Sequence, residues 1–313
     1  VLGPELGRGE GGGVRIATHI PTEKQFALKE ISIGSKGHRE QLMKELQTHR
    51  GCGRMQDIVE LYDVFYEEGR VYLVLELMDW GSLQVLLQQQ AERRARMDER
   101  VLSVILNKIT RALHFLHDQH RLIHRDLKPA NVVMGTEGVV KLSDFGVSRV
   151  LDQDAKGVTW VGTVGYMSPE RLQGNQYSMK ADIWSVGIIA IECALGHHPY
   201  MRSDGQESPL FEIMQRVVNE DVPIPQGSGL SPQLEDFIKC CLQKDEDMRW
   251  SAEQLLQHPF LKEPNLAPAD QDAIMRWWLG QYSRPKFYDD YGNEFIIGSG
   301  AQHLKGAGDM MME

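Results

Sequence analysis

The stretch from His124 to Gly146 constrains this 313-residue chain more than any other. It begins His124-Arg125-Asp126-Leu127-Lys128-Pro129-Ala130-Asn131. Two short apolar runs follow, Val132-Val133-Met134 and Val139-Val140-Lys141-Leu142, and then Asp144-Phe145-Gly146. Two such runs with a polar connection predict a hairpin. That hairpin brings Asn131 and Asp144 to one place, where both offer hard oxygen ligands of the kind Mg²⁺ takes. Asp126 can accept the hydrogen bond of an incoming hydroxyl, and Lys128 can neutralise charge on a phosphate. Phosphoryl transfer needs positioning and charge neutralisation more than proton abstraction.

Other segments supply the nucleotide side of that chemistry. Gly7, Gly9 and Gly12 lie in Gly7-Arg8-Gly9-Glu10-Gly11-Gly12-Gly13-Val14. Without side chains there, main-chain N–H groups can approach phosphate oxygens. A dinucleotide-binding loop would be followed by a helix. Here a strand-like run follows, and Val14 is placed to pack on adenine. Lys29, after Ala27-Leu28 on the next run, can bind the α- and β-phosphates as a point charge. It needs an acidic partner, with Glu45 the first candidate and Glu40 the second.

Composition closes off several classes. A net charge of −10 argues against a general grip on nucleic acid, so none is expected as a partner. No run of 18 apolar residues is present, and no membrane segment is expected. Cys52, Cys193, Cys240 and Cys241 lack ligand-like spacing. Cys240 and Cys241 are neighbours expected on different faces of a helix. Buried thiols in a reducing compartment, the cytoplasm, are the reading that follows. The chain opens on Val1 in a strand-like segment, which reads as a piece lacking its natural N-terminus.

The texture changes along the chain. Residues 1–78 read as strands with one helix, Arg39 to Gln47. The expected strands are Val14 to Ile20, Gln25 to Ile31, Ile58 to Tyr66 and Arg70 to Leu77. From Gly81 the pattern is helical, with Val101, Ile105, Ile109, Leu113 and Leu116 at helical spacing. Ala181 to Leu195 is apolar nearly all round and is expected as a buried helix closed by Gly196 and Pro199. Ser231-Pro232 and the Ser251–Gln254 pair mark two further helix starts. Asp272 to Leu279 is expected as a short helix, and Gly298 to Glu313 as flexible. The expected fold class is α+β, two-lobed. A small β-rich lobe spans 1–78, a mainly helical lobe 79–262, and an extension 263–313.

Taken together, residues 1 to about 262 resemble a eukaryotic protein kinase domain. Lys128, two residues after Asp126, resembles the serine/threonine type of catalytic loop. The run Gly162-Thr163-Val164-Gly165-Tyr166-Met167-Ser168-Pro169-Glu170-Arg171-Leu172 is similar to that of the MAP kinase kinases, with Ser168 where most kinases carry alanine. Lys44-Glu45-Leu46-Gln47 and Gly81-Ser82-Leu83 point the same way.

The resemblance implies ATP and Mg²⁺ as cofactors, a MAP kinase as substrate phosphorylated on threonine and tyrosine, and an upstream activating kinase. It implies that Leu75 sits at the back of the ATP pocket and that the hinge, Glu76 to Met78, bonds adenine. Leu6, Val14, Ala27 and Val133 would sandwich the ring. Thr163 would bond Asp126 and Lys128, Arg249 would pair with Glu170, and Asp182 would brace the catalytic loop.

A departure lies between Asp144 and Thr163. Relatives carry two phosphorylatable residues there, whereas this chain has Thr159 at the second place and Asp154 or Ala155 near the first. On one reading Thr159 is the switch, Asp154 partly stands in for a phosphate, and Arg125 receives phospho-Thr159. On the other, Asp152 and Asp154 are solvated loop charges. Asp272 to Leu279 either docks an upstream kinase through Trp277, Trp278 and Leu279 or packs back on the large lobe. A serine/threonine-only kinase of another tier is the alternative function. A catalytically inactive scaffold has little room beside Lys29, Asp126, Asn131 and Asp144, and a small-molecule phosphotransferase fits poorly with the peptide shelf at Thr163 and Ser168 to Glu170.

Overall fold

The computed structural model describes residues 1–9, 12–32, 42, 46, 55–93, 95–144, 161–200, 209–221, 224, 229–262, 266–295 and 297. Contacts divide the chain into two compact units. One comprises residues 1–53, 59–81 and 284–313, the other 54–58 and 82–283.

The smaller unit is built on a five-stranded sheet of order β1-β2-β3-β5-β4. Its strands are β1 (Leu2–Gly9), β2 (Gly12–His19), β3 (Lys24–Ser32), β4 (Leu61–Glu67) and β5 (Arg70–Leu75), all paired antiparallel. Gly12 has φ 152°, and a Cβ there would lie 2.1 Å from the Glu30 carbonyl oxygen, so the close approach of β2 to β3 requires glycine. Glu68 and Gly69 have φ of 47° and 87°, the left-handed pair of a tight hairpin turn between β4 and β5. β4 starts at Leu61, later than the expected Ile58. The reason is that Ile58 bridges Leu142, and the Asp57 carbonyl accepts from Leu142 N, within the larger unit. Of the helix expected over Arg39 to Gln47, Leu42 and Leu46 are described; both are helical and fully buried, one turn apart.

The chain passes into the larger unit at β6 (Gly81–Ser82) and α1 (Leu83–Glu92). α2 (Glu99–His114) starts at Asp98, whose side chain accepts from Arg100 N, and runs on into a π turn at Phe115–Gln119. The hairpin of β7 (Val132–Met134) and β8 (Val140–Leu142) follows. Two single turns, α3 (Val161–Val164) and α4 (Pro169–Leu172), precede α5 (Lys180–Leu195). α5 is buried almost all round and stops at Gly196, φ 78°. It packs against α2 and α7 (Pro232–Cys241). A Cβ on Gly187 of α5 would meet Leu242 at 2.5 Å, so glycine lets the two helices approach.

α6 (Leu210–Asn219) lies between α5 and α7 in sequence. α7 is capped by Ser231, whose side chain accepts from Leu234 N, with Pro232 in its first turn. α8 (Ala252–Leu255) carries the complete Ser251–Gln254 capping box, and α9 is Pro259–Lys262.

α10 is Pro268–Leu279, four residues longer at its start than the expected Asp272 to Leu279. Proline lacks only an N–H that a first turn leaves unused, so Pro268 opens this helix and does not bound it. α10 packs against α2. Met275, Trp278 and Leu279 are buried, while Trp277 is exposed. A Cβ on Gly138 would lie 2.2 Å from the Asp272 carbonyl oxygen, and Arg276 donates to the Glu137 carbonyl at 2.8 Å, so the β7–β8 turn also holds this helix. Asp57, fully buried, lies 3.1 Å from Arg111 Nε and 3.7 Å from Lys108 Nζ; burial pushes its carboxyl up despite these cations.

The last described stretch returns to the smaller unit as a hairpin of β9 (Phe287–Tyr288) and β10 (Glu294–Phe295). Asp289 ties its turn by accepting from Tyr291 N at 3.0 Å and Asn293 N at 2.8 Å. Two-residue strands are too short to leave a periodic signal, and nothing in the sequence reading anticipated them. Gly298 to Glu313 lie outside the described residues.

Candidate active site

The loop before β7 draws its polar residues together within the larger unit. Pro129–Asn131 forms one 3₁₀ turn, closed by Asn131 N to the Lys128 carbonyl at 2.9 Å. That turn aims Asn131 back at Asp126. Its Nδ2 donates to the Asp126 carbonyl at 2.7 Å and to Asp126 Oδ2 at 2.8 Å. Lys128 Nζ lies 3.0 Å from Asp126 Oδ1 and donates to Thr163 Oγ1 at 2.9 Å. A carboxylate, an ammonium, an amide and a hydroxyl from residues up to 37 apart in the sequence therefore form one linked group. On the far side of the hairpin, Ser143 N donates to the Asn131 carbonyl at 2.8 Å, which sets Asp144 beside the same turn.

Asp182, at the start of α5, holds this loop from beneath. Its Oδ2 accepts from His124 N at 2.8 Å and lies 2.8 Å from His117 Nε2; its Oδ1 accepts from Arg125 N at 2.9 Å. Burial alone would raise its carboxyl. The hydrogen bond and charge of His117, with His124 and the Arg125 N–H, hold it below the ordinary aspartate value. His124 Nδ1 accepts from Asp126 N, so its Nε2 carries the proton given to the Ser143 carbonyl at 2.8 Å. Arg125 and Asp144 have φ of 70° and 64°. Left-handed backbone at such residues costs roughly 1–3 kcal/mol each, and the Asp182 bond helps hold Arg125 there.

The Thr163–Glu170 stretch is anchored from below. Glu170 receives both arms of Arg249, at 2.7 and 3.0 Å, and Arg249 is buried. Burial would raise the Glu170 carboxyl, but the Arg249 hydrogen bonds and charge hold it below its ordinary value. Tyr166 donates to Glu192 at 2.5 Å, and Ser185 Oγ donates to the Tyr166 carbonyl at 2.7 Å. Burial pushes Glu192 up to about 7, offset in part by Tyr166. Arg171 donates to the Arg125 carbonyl at 2.5 Å, and both guanidinium groups stand over the Tyr177 ring, at 5.3 and 5.9 Å. Among the described residues neither has a carboxylate within ion-pair distance.

In the smaller unit, strand register gathers the nucleotide-side residues on one face. Val14 pairs with Lys29, Lys29 with Leu73, and Ala27 with Leu75. Lys29 and Ala27 are buried, and Leu6, Val14 and Leu75 are half-buried. Gly7 and Gly9 end β1 opposite Val14 and Gly12. Glu76 is tied to Glu60, its N donating to the Glu60 carbonyl at 2.9 Å and its Oε2 accepting from Glu60 N at 3.1 Å. Met78 is half-buried, as is Val133 on β7. The opposite face of the sheet has a separate concavity of about 410 Å³, lined by Arg15, Leu28, Glu30, Arg70 and Tyr72 among others. Glu45, Glu40, Asp154 and Thr159 lie outside the described residues.

Comparison with known proteins settles what this arrangement belongs to. Residues 1–261 match the protein kinase domain. Mitogen-activated protein kinase kinase 2 of Arabidopsis thaliana is 38% identical over 262 residues, covering 82% of this chain and 71% of that protein. Mitogen-activated protein kinase kinase 1c of Physcomitrium patens is 39% identical over 268 residues, 83% of this chain and 75% of the relative. The dual specificity mitogen-activated protein kinase kinase dSOR1 of Drosophila melanogaster is 35% identical over 288 residues, 85% and 71%. The chain belongs to the protein kinase family, as a MAP kinase kinase-type enzyme.

Protein kinases use ATP and a divalent metal, and the donor set of this kinase fits the metal. Both protons on Asn131 Nδ2 are turned to Asp126, which leaves its side-chain oxygen as the ligand-type atom, and the Ser143 N–Asn131 carbonyl bond sets the Asp144 backbone beside the same turn. A second group of ligand types, Asp236, Cys240 and His258, lies together elsewhere in the kinase. There His258 Nδ1 accepts from Phe260 N, so Nε2 carries the proton and donates it to Asp236 at 3.1 Å. That nitrogen is used in a structural hydrogen bond. Cys241 is buried and Cys240 half-buried on the two sides of α7. No helix among the described residues is long and apolar enough to cross a membrane. Sequence reasoning missed Arg171, Tyr177 and His117 as neighbours of the loop, because a lone arginine and tyrosine six residues apart and a histidine at the end of a helix leave no local pattern.

Proposed function

We propose that this kinase transfers the γ-phosphate of ATP to threonine and tyrosine in the activation loop of a MAP kinase. The observation that carries the reading is the linked group of Asp126, Lys128, Asn131 and Thr163. Asp126 Oδ1 and Oδ2 would take the hydrogen bond of the substrate hydroxyl and aim its oxygen at the γ-phosphorus. Lys128, already on both Asp126 and Thr163, would neutralise charge on the transferred group as the bond to ADP breaks. Thr163 would fix Lys128 and close the substrate side. Asn131 and Asp144 would hold Mg²⁺, which supplies charge neutralisation at the β- and γ-phosphates when bound.

On the other side, Lys29 would bind the α- and β-phosphates with Glu45 as its partner. Main-chain N–H groups of Gly7, Gly9 and Gly12 would cover them. Leu6, Val14, Ala27 and Val133 would sandwich adenine, with Leu75 behind and the Glu76–Met78 backbone at its edge. The shared face of Val14, Ala27, Lys29 and Leu75 supports this assignment.

Regulation would run through the segment before Thr163. An upstream kinase would phosphorylate Thr159, and Arg125 would receive the phosphate, with Asp154 a partial stand-in for a second one. Arg171 beside Arg125, both without a carboxylate partner among the described residues, supports an anion site there. Buried free thiols at Cys193 and Cys241 fit a cytoplasmic location. The test uses the full chain with ATP, Mg²⁺ and a kinase-inactive MAP kinase, comparing the native protein with Asp126→Asn. Transfer that requires Asp126 is expected; undiminished transfer by the variant would sink the assignment.

A further inference from the structure

We propose that the C-terminal β9–β10 hairpin is a strap on the glycine-loop strands, and that Asp290 is a positioning residue for the nucleotide. The proposal rests on the reading that the Gly7–Gly12 loop covers the phosphates of ATP. The hairpin lies beyond residue 261, where the match to the kinase domain ends.

β1 needs help that its own ladder does not give. It is the edge strand of the sheet, paired on one side only. Its register with β2 shifts twice, between Leu2 and Glu5 and between Glu5 and Gly7. An edge strand with two irregularities just before the loop is weakly specified in register. Arg15 of β2 bridges the gap. Its Nε donates to the Gly3 carbonyl at 3.0 Å, across the first irregularity. Its Nη2 donates to both carboxylate oxygens of Asp290, at 2.9 and 2.8 Å. Asp290 therefore fixes the guanidinium that fixes β1.

Two further contacts seat the strap. The Phe295 ring lies so close to Gly3 that a Cβ there would stand 3.3 Å from two ring carbons. Arg284, where the strap begins, pairs with Asp79, which follows the Glu76–Met78 hinge segment. β9 itself runs beside β1. The strap thus grips the smaller unit at both ends of the nucleotide-binding elements. Asp290 is 75% exposed, so its pair with Arg15 is worth little as stability. Its effect lies in restricting how far the β1–β2 hairpin swings from the phosphates.

The test is steady-state kinetics on the full chain with ATP varied. Asp290→Asn is expected to raise the KM for ATP about threefold, the size of an exposed pair. kcat and the KM for the protein substrate should stay unchanged. Arg15→Asp should raise the ATP KM as well, and Arg15→Asp combined with Asp290→Arg should restore it. A native ATP KM in Asp290→Asn overturns the proposal, as does a change confined to the protein-substrate KM or the absence of rescue. Lys29→Met in the same assay separates the two readings. If it binds ATP as well as the native chain, the nucleotide reading fails. If it loses ATP while Asp290→Asn does not change, the strap alone fails.

Discussion

Two aspartates brace the two halves of this kinase's chemistry, and they do so in opposite ways. Asp182 is buried, accepts from His124 N and Arg125 N, and meets His117. Asp290 is mostly exposed and holds one arginine. The first immobilises the loop where the phosphoryl group would move. The second lies in the β9–β10 turn and holds Arg15, which ties down an edge strand whose register shifts twice. A buried, fully bonded brace suits a group that must not move during transfer. An exposed brace suits a cover that must open for nucleotide to enter and leave. The same residue type serves both because burial and partner number set how firmly it grips.

The sharpest break in this comparison comes from the catalytic loop itself. Asp126→Asn is expected to lower kcat by roughly 10²–10⁴-fold with little change in the KM for ATP. Rate measurements at saturating ATP check it. Next in size, Asp182→Ala leaves His117 and two backbone N–H groups facing a void. It should cost about 3–5 kcal/mol of stability, read by denaturant unfolding. Asp290→Ala should cost almost none in the same assay. If the two variants unfold alike, the contrast between the braces is wrong.

A third effect depends on pH. Burial raises Glu192 from 4.5 to about 7 in the folded state. A raised folded pKa means that its stabilising contribution is full below about pH 4.5 and lost as pH rises through about 7. Glu192→Gln removes that dependence. Unfolding free energies at pH 5 and pH 8 should show the native protein losing up to about 3 kcal/mol relative to the variant between them. Parallel pH profiles would contradict it. Smallest of all is the roughly threefold rise in ATP KM for Asp290→Asn, which the kinetics described above resolve.

What could be read from the sequence follows the same division. The grouping of Asp126, Lys128 and Asn131 was legible because it depends on residue types at short, fixed spacing around one turn. The helix caps at Ser231 and Ser251 were legible for the same local reason. The Glu170–Arg249 pair spans 79 positions and came only from resemblance to relatives. The Arg15–Asp290 pair spans 275 positions and its aspartate lies beyond the shared domain, so neither spacing nor resemblance pointed to it. Asp289-Asp290-Tyr291-Gly292-Asn293 carries turn chemistry, with Gly292 at φ 83°, but the strands beside it are two residues long. Val14 and Ala27 show the middle case. Their alternation gave strands and put Ala27 on the face of Lys29, while only the register placed Val14 there.

The measurement closest to the central claim is a site-resolved time course on a kinase-inactive MAP kinase incubated with the full chain, ATP and Mg²⁺. Mass spectrometry would follow the activation-loop threonine and tyrosine separately. Phosphate on both residues, and on neither when Asp126→Asn replaces the native chain, is the predicted result. Phosphate on threonine alone would place the kinase in another tier and contradict the account.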